Sequence, residues 1–217
     1  MKIYQISGLG ANEKAFKNLR LNPDFELVYI PWLQPEKEES LQHYTERMLE
    51  KINLNEDFLL MGLSFGGIIV KEMNRFVHPQ FNFLISTIKD RSEMPNYMRF
   101  SSHTNIHKAI PPAFLTSDSF LSYSVIRKIY STRLMDLKEI FEFRNHYYLK
   151  WAMNQIVNWR NDILLPDFVH YHGNKDIVFP YSNLHDVIKI EGGTHIMVMQ
   201  KAKKLSELIN QKLELIR

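Results

Sequence analysis

Six short, mainly apolar runs punctuate the chain, at Lys2 to Ile6, Glu26 to Ile30, Phe58 to Met61, Phe81 to Ser86, Phe168 to His172 and Val187 to Ile190. Runs of this length and composition predict strands. Between them lie amphipathic stretches that predict helices: Glu13 to Leu19, Ser40 to Lys51, Gly67 to Phe76 and a terminal helix ending near Ile216. In the last, Ala202, Leu205, Leu208, Ile209, Leu213 and Ile216 recur at three- and four-residue spacing, one apolar stripe that should pack on the sheet. Strand and helix in alternation predict an α/β class, a mostly parallel sheet of about six strands flanked by helices.

The alternation fails from about Arg91 to Asp162, where aromatics, methionines and Pro111-Pro112 mix with helical periodicity and no strand is evident. This predicts a core of residues 1–90 and 163–217 carrying a helical cap at 91–162. An excursion of that length is usually functional when ordered, and covering a substrate site is a common use. The insertion contains Met94, Tyr97, Phe100, Phe114, Phe120, Tyr123, Tyr147, Tyr148 and Trp151, more of which should pack than touch a ligand.

Composition removes several function classes. The chain of 217 residues has a net charge of only +3 and no basic run dense enough for counterion release, so nucleic acid is not an expected partner. The absence of cysteine excludes disulfides, thiolate catalysis and sulfur-ligated metals. No window approaches the roughly 20 apolar residues of a membrane span. The N-terminus runs directly into a strand without a signal-like segment, which leads to the expectation of a cytoplasmic protein.

Candidate chemistry centres on Phe58-Leu59-Leu60-Met61-Gly62-Leu63-Ser64-Phe65-Gly66-Gly67, a buried strand running through Gly-x-Ser-x-Gly into a helix-compatible run. A serine on a tight strand-to-helix turn is held out into a cleft, with the helix N-terminus behind it. Strand before and helix after are the context that separates a nucleophile from an ordinary glycine-rich turn. Ser7-Gly8-Leu9-Gly10-Ala11, after the first strand, can aim amides at the same point. The expected oxyanion donors are the backbone N–H groups of Leu9 and Phe65. A phosphate-binding reading of this loop lacks Gly-x-Gly-x-x-Gly and any following Lys-Ser or Lys-Thr.

A serine nucleophile needs a base, and the base needs a carboxylate. His195, after Glu191-Gly192-Gly193-Thr194, returns over the strand ends where ligands gather in parallel sheets. Asp176, in His172-Gly173-Asn174-Lys175-Asp176, follows the penultimate strand at the same edge. The chain order serine, acid, histidine is that of α/β-hydrolases. Asp90, after the fourth strand, is the rival acid. His170, His172, His185 and Asp186 raise a metal reading, but alternation of His170 and His172 along a strand fits a structural role better, and no metal or cofactor is expected.

Taken together, these four segments resemble the α/β-hydrolase superfamily, as a compact bacterial member with a helical cap. The resemblance implies a parallel sheet, a cap inserted after the strand that follows the elbow helix, and hydrolysis through an acyl-enzyme without a cofactor. Two departures stand out: Ser7-Gly8 where the family often has His-Gly, and the apparent loss of the opening antiparallel strands. A serine at position 64 argues against dehalogenase-like or epoxide-hydrolase-like chemistry, which requires a carboxylate nucleophile. A small carboxylic ester is the expected substrate, with thioesterase or acyltransferase action on acyl-carrier or acyl-CoA substrates, or a non-catalytic ligand-binding role, as alternatives. Lys89, Arg91, Arg99, Arg127, Lys128 and Arg133 are the residues that could receive an acidic carrier protein.

Overall fold

The computed structural model describes residues 1–109, 139–161 and 163–216. Six strands, β1 (Lys2–Ile6), β2 (Glu26–Tyr29), β3 (Phe58–Leu63), β4 (Phe81–Ile85), β5 (Phe168–Gly173) and β6 (Ile188–Ile190), form one sheet in the order β2-β1-β3-β4-β5-β6. Every pairing among them is parallel. The chain moves outward from β1 to β2, then crosses back to lay β3 on the other side of β1. Strand order therefore reverses between β1 and β3, which is where parallel sheets open a crevice at their carboxyl ends. Ile6 pairs with Gly62 in register, so the loops carrying Leu9 and Ser64 leave the sheet side by side.

The central strands β3 and β4 are buried along their whole length, while the edge strands β2 and β6 are partly exposed. Along β3 the side chains alternate: Leu59 and Met61 join one core cluster, Phe58 and Leu60 the other. The first cluster receives Leu205, Ile209 and Leu213 of α6 (Ala202–Ile216), with Leu208 and Ile216 packed at its margin. The second receives Tyr44 and Met48 of α1 (Leu41–Leu49) and Ile68, Ile69 and Val70 of α2 (Phe65–Met73).

The departures from the sequence reading are local. Glu13 to Phe16 form only a 3-10 turn, capped by Asn12, where a longer helix is expected. Ser40 is the N-cap of α1 and accepts from the His43 N–H, so the helix starts one residue later. α2 begins at Phe65, immediately after Ser64. The terminal stretch is two helices, α5 (Met197–Gln200) and α6, broken at Lys201.

Between β4 and β5 the described residues contain α3 (Asn96–Thr104) and α4 (His146–Asn158). Met94, Tyr148 and Trp151 are buried in the core cluster, whereas Tyr97, Phe100 and Tyr147 are exposed. Pro111-Pro112, Phe114, Phe120, Tyr123, Arg127, Lys128 and Arg133 lie outside the described residues. Among the described residues no helix is long and apolar enough to cross a membrane.

Candidate active site

Ser64 has φ 54° and ψ −118°, a conformation unfavourable to any residue with a Cβ. The turn is tied down from three sides: Ser64 N–H donates to the Ile85 carbonyl (2.9 Å), while its own carbonyl accepts from Gly67 N–H (2.9 Å) and Thr87 Oγ1 (2.7 Å). Gly66 is required for the same close approach. A Cβ there would stand 2.2 Å from the Ile6 carbonyl oxygen and 2.5 Å from that of Ser7, so the elbow packs directly on the end of β1.

His195 and Asp176 reach Ser64 through two loops that touch. A Cβ on Gly173 would lie 2.2 Å from the Gly193 oxygen, and Lys175 N–H donates to that oxygen at 2.9 Å. The close crossing brings the residue after β5 and the residue after β6 together. His195 Nε2 lies 2.8 Å from Ser64 Oγ, and His195 Nδ1 lies 2.8 Å from Asp176 Oδ2. With a carboxylate at Nδ1, that nitrogen carries the proton and Nε2 is free to accept from the serine. Ser64 is half-buried, while His195 and Asp176 are 4% and 5% exposed.

Asp176 is fully provided with donors. Its Oδ1 accepts from the N–H groups of Val178 (2.8 Å) and Phe179 (3.0 Å), and Oδ2 receives both His195 and His172 Nε2 (3.1 Å). Burial alone would raise its pKa. The facing His195 and the hydrogen bonds from His172 and His195 more than offset that and hold the carboxyl well below the usual carboxylate range. The rival Asp90 is used elsewhere, accepting from Ser92 N–H (2.7 Å) and Ser92 Oγ (2.5 Å) as the cap of a 3-10 turn.

The loop from Ser7 to Ala11 is fixed by side chains from distant elements. Trp32 Nε1 donates to the Gly8 carbonyl (3.1 Å), and Gly10 N–H donates to Tyr148 Oη (3.4 Å). Ser7 Oγ donates to the Ala11 carbonyl (2.5 Å), which also accepts from Tyr29 Oη (3.1 Å). Ser7 thus supports the loop from within. Phe65 is the first residue of α2, so its N–H has no acceptor within the helix. Leu9, Gly8, Ser64 and His195 line one cavity, completed by apolar residues that include Ala11, Ile140, Phe141 and Met199.

The sequence reading did not anticipate two contributors. His172, which the alternation along β5 marks as structural, also approaches Asp176 Oδ2 at 3.1 Å, a contact its spacing of four from Asp176 around a tight turn permits. The segment 139–143 pairs with the loop from Ser7 to Ala11 and its neighbour Asn12 through an Ala11–Phe141 bridge and the bond from Asn12 N–H to the Ile140 carbonyl (2.9 Å). Nothing in its local pattern marks that contact.

No protein-family model matches the sequence, and no curated protein matches it. Solved structures do. ClbQ from the colibactin NRPS/PKS pathway superposes with a TM-score of 0.69 at 17% identity, covering 99% of this chain and 97% of that one. A thermophilic esterase from Thermogutta terrifontis gives 0.66 at 13% identity over 100% and 90%. The RedJ thioesterase of the prodiginine pathway of Streptomyces coelicolor gives 0.60 at 14% identity over 96% and 89%. The parallel sheet, the serine elbow between β3 and α2 and these likenesses identify the fold of the chain as that of the α/β-hydrolases.

Proposed function

We propose that the protein is a serine hydrolase that cleaves small carboxylic esters through Ser64, His195 and Asp176. The observation that carries this reading is the unbroken chain of two 2.8 Å contacts from Ser64 Oγ through His195 to Asp176. A glycine-rich turn serving only the fold has no use for it.

In the first half-reaction His195 Nε2 takes the proton of Ser64 as Oγ attacks the ester carbonyl. The tetrahedral oxyanion is held by the N–H groups of Phe65 and Leu9, and Asp176 stabilises the imidazolium. His195 then gives the proton to the departing alkoxide, leaving an acyl-enzyme and a free alcohol. Water, deprotonated by His195, attacks that acyl group; its collapse releases the carboxylic acid and restores Ser64. No cofactor enters.

Residues 91–162 act as a cap in this reading. Among the described ones, Tyr148 and Trp151 pack against Trp32 and Phe65, with ring centroids 5.7 Å and 6.4 Å apart. An oxygen ester is preferred to a thioester because the reading needs nothing beyond a small substrate. The likeness to a thioesterase keeps thioester cleavage as the second reading. An acidic carrier protein gains little support from Lys89, whose ammonium is bound to the buried Glu93 carboxylate at 2.6 Å.

Initial rates on matched oxygen esters and thioesters of graded acyl length test the proposal. Turnover of oxygen esters that Ser64→Ala abolishes supports it. Preference for thioesters would move the assignment to the second reading, and turnover surviving in Ser64→Ala would remove the serine mechanism.

A further inference from the structure

His172 stands near the end of β5, completely buried, with Nε2 2.8 Å from the Phe179 carbonyl and 3.1 Å from Asp176 Oδ2. Both neighbours are acceptors, so Nε2 carries the ring proton and Nδ1 is left as a lone-pair acceptor. Nδ1 is buried and has no hydrogen-bond partner among the described residues. A buried polar atom without a partner costs stability, and an all-carbon side chain would avoid that cost. What recommends imidazole at this position is therefore its Nε2–H.

That N–H reaches two groups which both meet His195. Asp176 Oδ2 is the oxygen that faces His195 Nδ1, and the Phe179 ring packs edge-on against the His195 ring at 5.6 Å. The other side of His172 is occupied by His170, also edge-on, at 5.4 Å.

We propose that His172 is a positioning residue for the reaction, whose Nε2–H fixes Asp176 Oδ2, and the Asp176–Phe179 loop with it, in line with His195. This rests on the serine-hydrolase reading of the site. Two backbone N–H groups already hold Oδ1; the single His172 Nε2–H is shared between the Phe179 carbonyl at 2.8 Å and Oδ2 at 3.1 Å, so it ties the loop to the oxygen that orients the base. The lowered pKa of Asp176, to which the His172 hydrogen bond contributes, agrees with that arrangement.

The test uses two amides that differ in reach. Glutamine can place its N–H where Nε2 stands, whereas asparagine presents its amide near the Nδ1 position. His172→Asn should lower kcat about 10- to 100-fold, the worth of one hydrogen bond to a charged group, with KM within about twofold. His172→Gln should recover most of that loss. The downfield imidazole N–H resonance of His195 should move in the asparagine variant and return toward its wild-type position in the glutamine variant. Wild-type kcat and resonance in both variants would overturn the proposal. So would equal losses that follow their melting temperatures, because a purely structural role predicts that pattern. Fluorophosphonate labelling of the wild type is run alongside: no labelling removes the serine-hydrolase reading and this proposal with it, whereas normal labelling with indifferent variants removes only the role of His172.

Discussion

The backbone at Ser64 stores strain, and two substitutions there measure it. Its φ of 54° and ψ of −118° match the first central position of a type II′ turn, where glycine is the favoured residue. A residue with a Cβ held in such a region costs about 1–3 kcal/mol. Ser64→Ala and Ser64→Gly both delete Oγ and its 2.8 Å contact with His195, so that loss cancels in their comparison. Only glycine relieves the strain. Against this, glycine leaves a freer unfolded chain, which costs about 0.4–1 kcal/mol. The net expectation is that Ser64→Gly is the more stable by about 1 kcal/mol. For a chain of this size that difference raises the melting temperature by about 2–4 °C. Urea unfolding of the two variants, with equal slopes, gives the difference directly. An alanine variant as stable as the glycine one, or more so, would refute the claim that the elbow is strained.

Other substitutions probe the packing and charge of the same site. Gly66→Ala forces a methyl group onto the Ile6 and Ser7 carbonyls, which are backbone and cannot rotate away. It should cost about 3 kcal/mol or more in denaturant unfolding, since overpacking of yielding sites already costs 1–3. Asp176→Asn should lower kcat by about three to four orders of magnitude, because the amide no longer fixes the proton on His195 Nδ1. It should also change the acid stability profile. A carboxyl whose folded pKa lies below its unfolded one stabilises fully above about pH 4, and that contribution fades as pH falls toward the folded value. The stability gap between wild type and Asp176→Asn should therefore narrow as pH drops below about 4. A gap that widened would contradict the assignment of Asp176 as the buried, ionised acid.

Much of this architecture is legible in the sequence because it depends on short-range patterns. The apolar runs around Leu59 to Met61 and Phe83 to Ile85 predict strands, since a sheet covered on both faces has no solvent side to interrupt them. Gly62 to Gly67 is readable because a serine elbow tolerates few side chains near it, and the 2.2 Å approach of Gly66 to β1 shows the constraint physically. The partners of Ser64 were inferred from chain order and strand ends, and the structure brings all three together. Contacts fixed by long-range folding left no such trace. Tyr148 and Trp32 hold the loop after β1 from positions that no local spacing connects with Gly10 or Gly8. The segment 139–143 reads as part of the insertion, yet it joins Asn12 through the Nδ2 bonds to the Glu139 carbonyl (2.9 Å) and Glu142 Oε2 (2.8 Å). His172 was hidden for a different reason: alternation along β5 describes which face it occupies, not that the next loop folds Asp176 back onto it.

The most direct test of the central claim is intact mass after exposure to a fluorophosphonate, with the modified residue located by peptide mapping. The reagent reports an activated serine without presupposing the substrate. One adduct per chain on Ser64, absent from Ser64→Ala and strongly slowed in Asp176→Asn, is the expected result. A folded wild-type protein that takes no adduct, or an adduct that persists in Ser64→Ala, would contradict the assignment of Ser64 as the nucleophile of a serine hydrolase.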